Sequence, residues 1–261
     1  MPRLQPSAVI LPSEGRELLM DLEQRIVRRF GRAVVQYGLI ADGDRILVGL
    51  SGGKDSLCLL ELLARRARIQ RPAFEVVALH VRMENISYES DTSYLKQFCD
   101  RLSVPLHVVN TRFDAPSEGQ KTKPVCFLCS WMRRKQLFNT AQELGCNKIA
   151  LGHHQDDIIH TALMNLFFQG HFSTMPVRLQ MRKMPLTIIR PLCLEHEADI
   201  KAYAQQQQYL EQKKRCPYER DSNRTTMRLV FEQMDTMNGE TRYSIWNALE
   251  REDKLIEDKE E

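Results

Sequence analysis

Three short stretches of this chain combine residue types at spacings that can do chemistry. Ser51-Gly52-Gly53-Lys54-Asp55-Ser56 sets two glycines between hydroxyls, beside a lysine and an aspartate. A turn of this kind brings backbone N–H groups and the start of a following helix to bear on an anion, and a phosphate belongs there. The string is not a Walker A loop. Counted from Gly49, three residues rather than four precede Gly53-Lys54, and Asp55 stands where Ser or Thr is required. Glycines alone would indicate a plain strand-to-helix connection, but hydroxyls at both ends in a strand-loop-helix setting point to a nucleotide site.

Cys126-Phe127-Leu128-Cys129 is the second stretch. Its sulfurs fall beside a helix expected to start near Ser130, whose positive end favours thiolate. Zinc, an iron–sulfur cluster, a redox pair and two incidental thiols all accommodate one CxxC, and no second CxxC or HxxxH completes a zinc tetrad. Cys58, Cys99, Cys146 and Cys193 sit in or at the ends of apolar elements and read as core thiols. Cys216 lies instead in the charged loop Lys213-Lys214-Arg215-Cys216-Pro217-Tyr218, where an apolar reason for cysteine is absent. Three thiolates would leave one iron of a four-iron cluster open, because such clusters normally take four cysteines.

Gly152-His153-His154-Gln155-Asp156-Asp157 is the third. Asp156 and Asp157 either cap a helix start or manage a proton or Mg²⁺, and spacing alone does not separate them. Arg133, four residues after Cys129, can face an adenylate, an RNA phosphate or water, and Arg134 and Lys135 extend the positive stretch. Arg190, before Pro191, reads as structural. Lys213, Lys214, Arg215, Arg220, Arg224 and Arg228 have the distribution of residues that track an RNA backbone.

The elements that must position these residues are legible as apolar runs at residues 45–50, 74–81, 106–110, 148–152 and 187–192. Their continuous, β-branched character suits parallel strands covered on both faces. Helical patterns follow the first four, at Ser56 to Arg66, Thr92 to Leu102, Ser130 to Leu144 with a stop at Gly145, and Asp156 to Phe168 ending at Gly170. A further helix leads in over Gly15 to Tyr37, spaced by Leu18, Leu22, Ile26, Phe30 and Val34. The expected fold is α/β, a parallel five-stranded doubly wound sheet with an N-terminal helix and a helical C-terminal extension. Repeated βα units put the glycine turn and the acidic motif at the same carboxyl edge of the sheet.

The chain has 261 residues, 43% hydrophobic and 27% charged, enough for one large α/β domain with an appendage. The expected division is residues 1–40, an N-terminal helical segment; 41–194, the domain that carries the nucleotide site; and 195–261, a helical extension that carries Cys216. No run approaches the roughly 20 apolar residues of a membrane span. The first residues lack the basic and apolar blocks of a signal peptide, so a cytoplasmic protein with reduced cysteines is expected. The formal charge is only +3, but from Arg178 to Arg228 there are 11 Lys/Arg against 6 Asp/Glu, and from Glu250 to Glu261 there are 3 against 7. The positive region suits a polyanionic partner, and the acidic tail a solvated helix end.

SGGKDS resembles the PP-loop of the ATP pyrophosphatase superfamily. That resemblance implies attack at the α-phosphate of ATP with release of pyrophosphate, the phosphates and Mg²⁺ being cradled by Ser51, Gly52, Gly53, Asp55 and Ser56, with Lys54 adding positive charge. SGGKDS, PVCFLCSWMRR, ALGHHQDD, IIRPL and a late cysteine, in that order, together resemble the TtcA-type tRNA thiolases, which make 2-thiocytidine in the anticodon loop, and the match runs from about Gly31 to Tyr203. This wider resemblance implies a [4Fe-4S] cluster on Cys126, Cys129 and Cys216, together with ATP and Mg²⁺. It also implies tRNA as substrate, a cysteine desulfurase or free sulfide as sulfur donor, and catalytic roles for Asp55, Asp156, Asp157 and Arg133; a homodimer is compatible with it. The chain departs from the family pattern near its C-terminal end, where RCPYERDSNRTTMR carries one cysteine in place of two. The rival readings are another PP-loop enzyme, making 2-thiouridine or lysidine with zinc or persulfide cysteines, and a non-catalytic adenine-nucleotide-binding protein on the same sheet.

Overall fold

The five apolar runs become five parallel strands. In a computed structural model that describes residues 21–69, 71–85, 91–113, 125–211 and 223–258, they are β1 (Arg45–Gly49), β2 (Glu75–Met83), β3 (Leu106–Thr111), β4 (Lys148–Ala150) and β6 (Thr187–Ile189). Two short strands, β5 (Arg178–Gln180) and β7 (Ile256–Glu257), complete a sheet of order β3-β2-β1-β4-β6-β5-β7. β5 runs antiparallel to β6, with Arg178 opposite Ile189, and β7 runs parallel to β5. The added pair is only three and two residues long, too short for alternation to register in the sequence. β6 stops at Ile189, before the Arg190-Pro191 pair that the apolar run had included, since proline cannot donate to a ladder.

Burial on both faces explains the unbroken apolar character of the central strands. Ile46 and Val48 of β1, with Val76 and Ala78 of β2, enter one core; Leu47, Val77, Leu79 and Val81 enter the other. Helix α4 (Val125–Glu143) covers the second face through Leu137, Phe138 and Ala141. The first face is shared by α1 (Leu22–Gln36), α2 (Lys54–Ala67), α3 (Thr92–Leu102), α5 (Gln155–Gln169), α6 (Glu197–Gln206), α7 (Asn223–Met237) and α8 (Thr241–Arg251), whose apolar sides meet in one cluster. Arg29 of α1 pairs with Asp199 of α6 at 2.6 Å, and Tyr37 donates to Glu250 of α8 at 2.6 Å. None of the described helices is long and apolar enough to cross a membrane.

Helix ends follow their caps. Asp21 accepts the Gln24 N–H at 2.8 Å to open α1, Asp91 accepts those of Ser93 and Tyr94 to open α3, and Gly170 closes α5 at φ +66°. One start differs from the sequence expectation. α4 begins at Val125 rather than near Ser130, so both cysteines of the CxxC are inside the helix instead of ahead of it. The reason is packing: Val125, Leu128, Cys129 and Met132 recur at helical spacing and close over Met83 and Phe113.

After β1 the chain builds β2 and β3 to one side, then crosses to lay β4 on the other. The loops leaving β1 and β4 therefore diverge at the carboxyl edge, opening the crevice where α/β sheets hold ligands. SGGKDS is the first of these loops and GHHQDD the second.

Candidate functional site

The glycine loop is held in shape by its own hydroxyls. Gly52 takes φ +86°, a left-handed value at which a side chain would strain, and Gly53 caps α2 in an extended conformation. Ser56 Oγ accepts the Gly52 N–H at 3.1 Å and donates to the Gly53 carbonyl at 2.9 Å, while Ser51 Oγ accepts the Gly53 N–H at 3.3 Å. The serines thus brace the turn, and the first N–H groups of α2 face the crevice without intrahelical acceptors. Lys54 Nζ lies 3.2 Å from Asp55 Oδ1 and 3.4 Å from Glu197 Oε1. Burial works against the Lys54 charge, but the two carboxylates outweigh it and raise the ammonium above its ordinary value. Burial pushes the Asp55 carboxyl up, aided by Asp157 and partly offset by Lys54 and His154.

Gly152 lets the second loop touch the first. A Cβ there would stand 3.0 to 3.1 Å from the Asp55 carbonyl group and the Ser56 nitrogen, so the two backbones meet where no side chain fits. Beyond it, Asp157 accepts the His154 N–H at 3.2 Å. His154 is buried among Asp55, Asp156 and Asp157 at 3.9, 3.5 and 3.6 Å. Burial lowers the imidazole's proton affinity, yet these carboxylates raise it overall.

The structure separates the two aspartates that spacing left together. Asp156 accepts from Arg242 of α8 at 2.7 Å and from the Glu197 N–H at 2.8 Å. Burial opposes its charge, but His154, Arg242 and that N–H prevail and hold the carboxyl far below its ordinary value. Among the candidate catalytic residues, Asp156 is therefore placed as a tie between α5, α6 and α8, because both its oxygens are turned toward those helices. Asp157 lines the crevice.

That crevice has a volume of about 370 Å³, in the range of small-ligand pockets. Leu50, Leu79, Val81, Leu137 and Leu151 supply an apolar floor, and Ser51, Asp55, Ser56, His153, Asp157 and Arg133 supply polar walls. Arg133 points into the pocket from α4, whereas Arg134 and Lys135 are exposed on the outside of the same helix. A polar chamber of about 240 Å³ adjoins the pocket through Asp55 and Asp157 and is lined also by Lys54, His154, His160, Glu197, Thr225 and Arg228. Arg228 thus lines the same chamber as Lys54, while its exposed side chain pairs with Glu232 at 3.6 Å. Arg190 is buried, donates to His153 Nδ1 at 3.3 Å and to the Pro176 carbonyl, and is lowered by burial to about 10.

Sequence reasoning passed over Leu79, Val81, Leu137, Glu197 and Arg242. The first three read as ordinary core residues, and only the position of Leu79 and Val81 late in β2, toward the carboxyl edge, could have marked them. Glu197 and Arg242 come from distant helices and carried no local signal.

Cys126 is exposed and Cys129 buried, one helical turn apart at the start of α4. Cys58, Cys99, Cys146 and Cys193 are buried thiols. Burial raises all four, Cys99 to about 12, which keeps them protonated and unsuited to ligate metal. Cys216 and the basic residues from Lys213 to Arg220 lie outside the described residues. Among the described residues no group of three or more His, Cys, Asp or Glu is assembled to hold a metal ion.

Residues 22–230 match the PP-loop domain. The chain belongs to that family. The tRNA-cytidine(32) 2-sulfurtransferase of Chromohalobacter salexigens is 38% identical over 190 residues, 72% of this PP-loop chain and 66% of the relative. The enzyme of the same name from Paracidovorax citrulli is 38% identical over 192 residues, 72% of the chain and 61% of the relative. This PP-loop protein thus spans less than two thirds of the length of those relatives. The U34-tRNA thiolase NcsA from Methanococcus maripaludis, solved with its [4Fe-4S] cluster, superimposes with a TM-score of 0.71 at 23% identity, covering 88% of this chain and 78% of that one. The last likeness establishes a shared fold.

Proposed function

We propose that this PP-loop protein catalyses ATP-dependent tRNA thiolation, converting an anticodon-loop cytidine to 2-thiocytidine, at position 32 as in the names of its relatives. One observation carries the reading. The helix whose Arg133 faces the PP-loop pocket also bears Cys126 and Cys129. At about 1.5 Å rise per residue, Cys129 lies about 6 Å along the axis from Arg133 and Cys126 about 10 Å. In this reading a thiol-based sulfur site and a nucleotide site share one rigid element.

The residues present fit the groups this reaction needs. Asp55 and Asp157 share the pocket, and one or two carboxylates beside phosphates are the usual setting for Mg²⁺. Burial, with a smaller push from the Asp157 carboxylate, raises the Asp55 carboxyl, and a divalent cation beside it would favour the ionised form. Two thiols one turn apart make a soft donor pair suited to iron–sulfur ligation, and Cys216, outside the described residues, would be the third ligand. A [4Fe-4S] cluster on Cys126, Cys129 and Cys216 would supply an iron with an open position for sulfide.

In this reading the adenosine of ATP rests on Leu79, Val81 and Leu137, with its phosphates at the start of α2. The cytidine O2 attacks the α-phosphorus, the bond to the β-phosphate breaks, and pyrophosphate leaves. The N–H groups of Lys54 and Asp55 and the Lys54 ammonium stabilise the charge that collects on it. Arg133 neutralises the α-phosphate from the opposite wall. Sulfide then attacks C2 and AMP departs with the former O2. The apolar floor keeps water from the adenylated base, which it would otherwise hydrolyse. A base from a single-stranded loop can enter such a pocket at modest cost. The sulfur comes as free sulfide, or from a cysteine desulfurase whose persulfide a thiol reductant releases as sulfide, and tRNA as substrate fits a cytoplasmic protein.

The test is mass spectrometry of nucleosides from tRNA incubated anaerobically with ATP, Mg²⁺ and sulfide, alongside iron and acid-labile sulfide assays. Wild type should yield 2-thiocytidine and contain iron. Cys126→Ala and Cys129→Ala should bind ATP normally but lose iron and product. Full-rate thiolation by iron-free protein, or a 2-thiouridine or lysidine product, refutes the assignment.

A further inference from the structure

The outer side of α4 is not an ordinary solvated helix face. Phe127 and Trp131 are 41% and 48% exposed, and their spacing of four residues puts them one above the other on the same side. Arg134 and Lys135 continue that stripe and are exposed. Lys135 Nζ lies 5.5 Å from the centroid of the Trp131 ring, and Arg134 Nε donates to the Ser130 carbonyl at 3.4 Å, holding the guanidinium against the helix surface. Across the whole of α4 the sole acidic residue is Glu143, at the far end. The inner side of the helix packs on the sheet through Leu137, Phe138 and Ala141, while Trp131 on the outer side belongs to none of the described packing cores.

We infer that this stripe is a stacking platform for unpaired bases of the RNA loop, the cations gripping the adjoining phosphates. The inference rests on the tRNA reading above and adds a binding surface to it. Aromatic rings interleaved with cations, free of carboxylates, suit single-stranded RNA, since every base has a face to stack and every linkage a charge to meet. Another exposed aromatic group, Phe167 and Phe168 at the end of α5, has no Lys or Arg among residues 165–171 and lacks this complementarity. Position agrees. The stripe begins at exposed Cys126, and the other side of the same helix puts Arg133 into the pocket. Bases stacked outside would hold the loop while a neighbouring cytidine turns inward around a helix about 10 Å across.

The experiment measures binding of a 17-nucleotide anticodon stem-loop RNA, and of a duplex lacking the loop, to the full chain over a range of salt. Trp131→Ala should weaken loop binding about 5- to 150-fold, with the salt slope unchanged and ATP affinity intact. Trp131→Phe should restore most of the affinity. Lys135→Ala should instead lower the slope of log K against log salt by about 0.7, as for one lost phosphate contact. Trp246 is buried at 6% exposure, so fluorescence quenched by the loop RNA and insensitive to the duplex should vanish in Trp131→Phe. Equal loop affinity in wild type and Trp131→Ala overturns the platform and leaves the thiolation reading standing. Failure of wild type to bind any tRNA overturns both. A change of oligomeric state by sedimentation in Trp131→Ala, with RNA affinity unaltered, makes the stripe a contact between copies and also overturns the platform.

Discussion

Gly152→Ala places one methyl group where the two loops of the site meet. Its carbon would stand 3.0 Å from the Asp55 carbonyl carbon and 3.1 Å from both the Asp55 oxygen and the Ser56 nitrogen. Ordinary contact begins near 3.4 Å, so each neighbour must give by a few tenths of an ångström, and all three are backbone atoms of the first turn of α2. Overpacking of this kind costs about 1–3 kcal/mol. If the loops stay in place, the strain appears as stability, a melting temperature lower by about 2–10 °C for a chain of this size. If α2 shifts instead, the N–H groups miss the phosphates and ATP binds about 5- to 150-fold more weakly. One strain thus divides between two readouts, thermal melting without ligand and calorimetric titration with a non-hydrolysable ATP analogue and Mg²⁺. Gly49→Ala is the control. Its methyl would meet the side-chain tips of Leu151 and Leu137 at 3.2 and 3.4 Å, which can rotate away, so smaller losses are expected. Wild-type melting together with wild-type ATP affinity in Gly152→Ala would refute the idea that contact between these backbones sets the phosphate site.

Glu197→Gln removes one of two carboxylates that hold Lys54, and pyrophosphate should bind up to about fivefold more tightly, a small effect because the Glu197 side chain is 43% exposed; weaker binding in titration would contradict it. Arg242→Ala strips Asp156 of its 2.7 Å partner and should cost about 1–3 kcal/mol at neutral pH by denaturant unfolding. The Asp156 carboxyl is depressed in the folded state, so its contribution is present above the ordinary value of about 3.8 and is lost as pH falls below it. The destabilisation by Arg242→Ala should therefore shrink in acid, and a constant difference from pH 7 to pH 3 would contradict the assignment. Affinity of wild type for tRNA should fall steeply as salt rises, because Lys and Arg outnumber Asp and Glu from Arg178 to Arg228; a flat dependence would remove electrostatics from recognition.

The sheet was legible because burial on two faces writes itself as continuous apolar runs, and all five long runs became its parallel strands. β5 and β7 were not, since three and two residues carry no period. The start of α4 was misplaced because the cysteines looked like a loop motif, while Val125, Leu128 and Met132 pack as helix. The glycine turn was legible at the level of single residues. Gly52 is demanded by the left-handed backbone of the turn, which neighbouring residues in the chain largely decide.

By itself, then, the sequence determined the α/β order of elements, the phosphate-type turn and the CxxC, all of which are encoded within a few consecutive residues. Only the tertiary structure decided that Asp156 belongs to Arg242 and Asp157 to the pocket, that Arg133 faces inward while Trp131 faces out, and that Glu197 meets Lys54. Those choices depend on which distant helices close over the carboxyl edge, and neither the partner of a charge nor the outward turn of a side chain has a local periodicity from which it could be read.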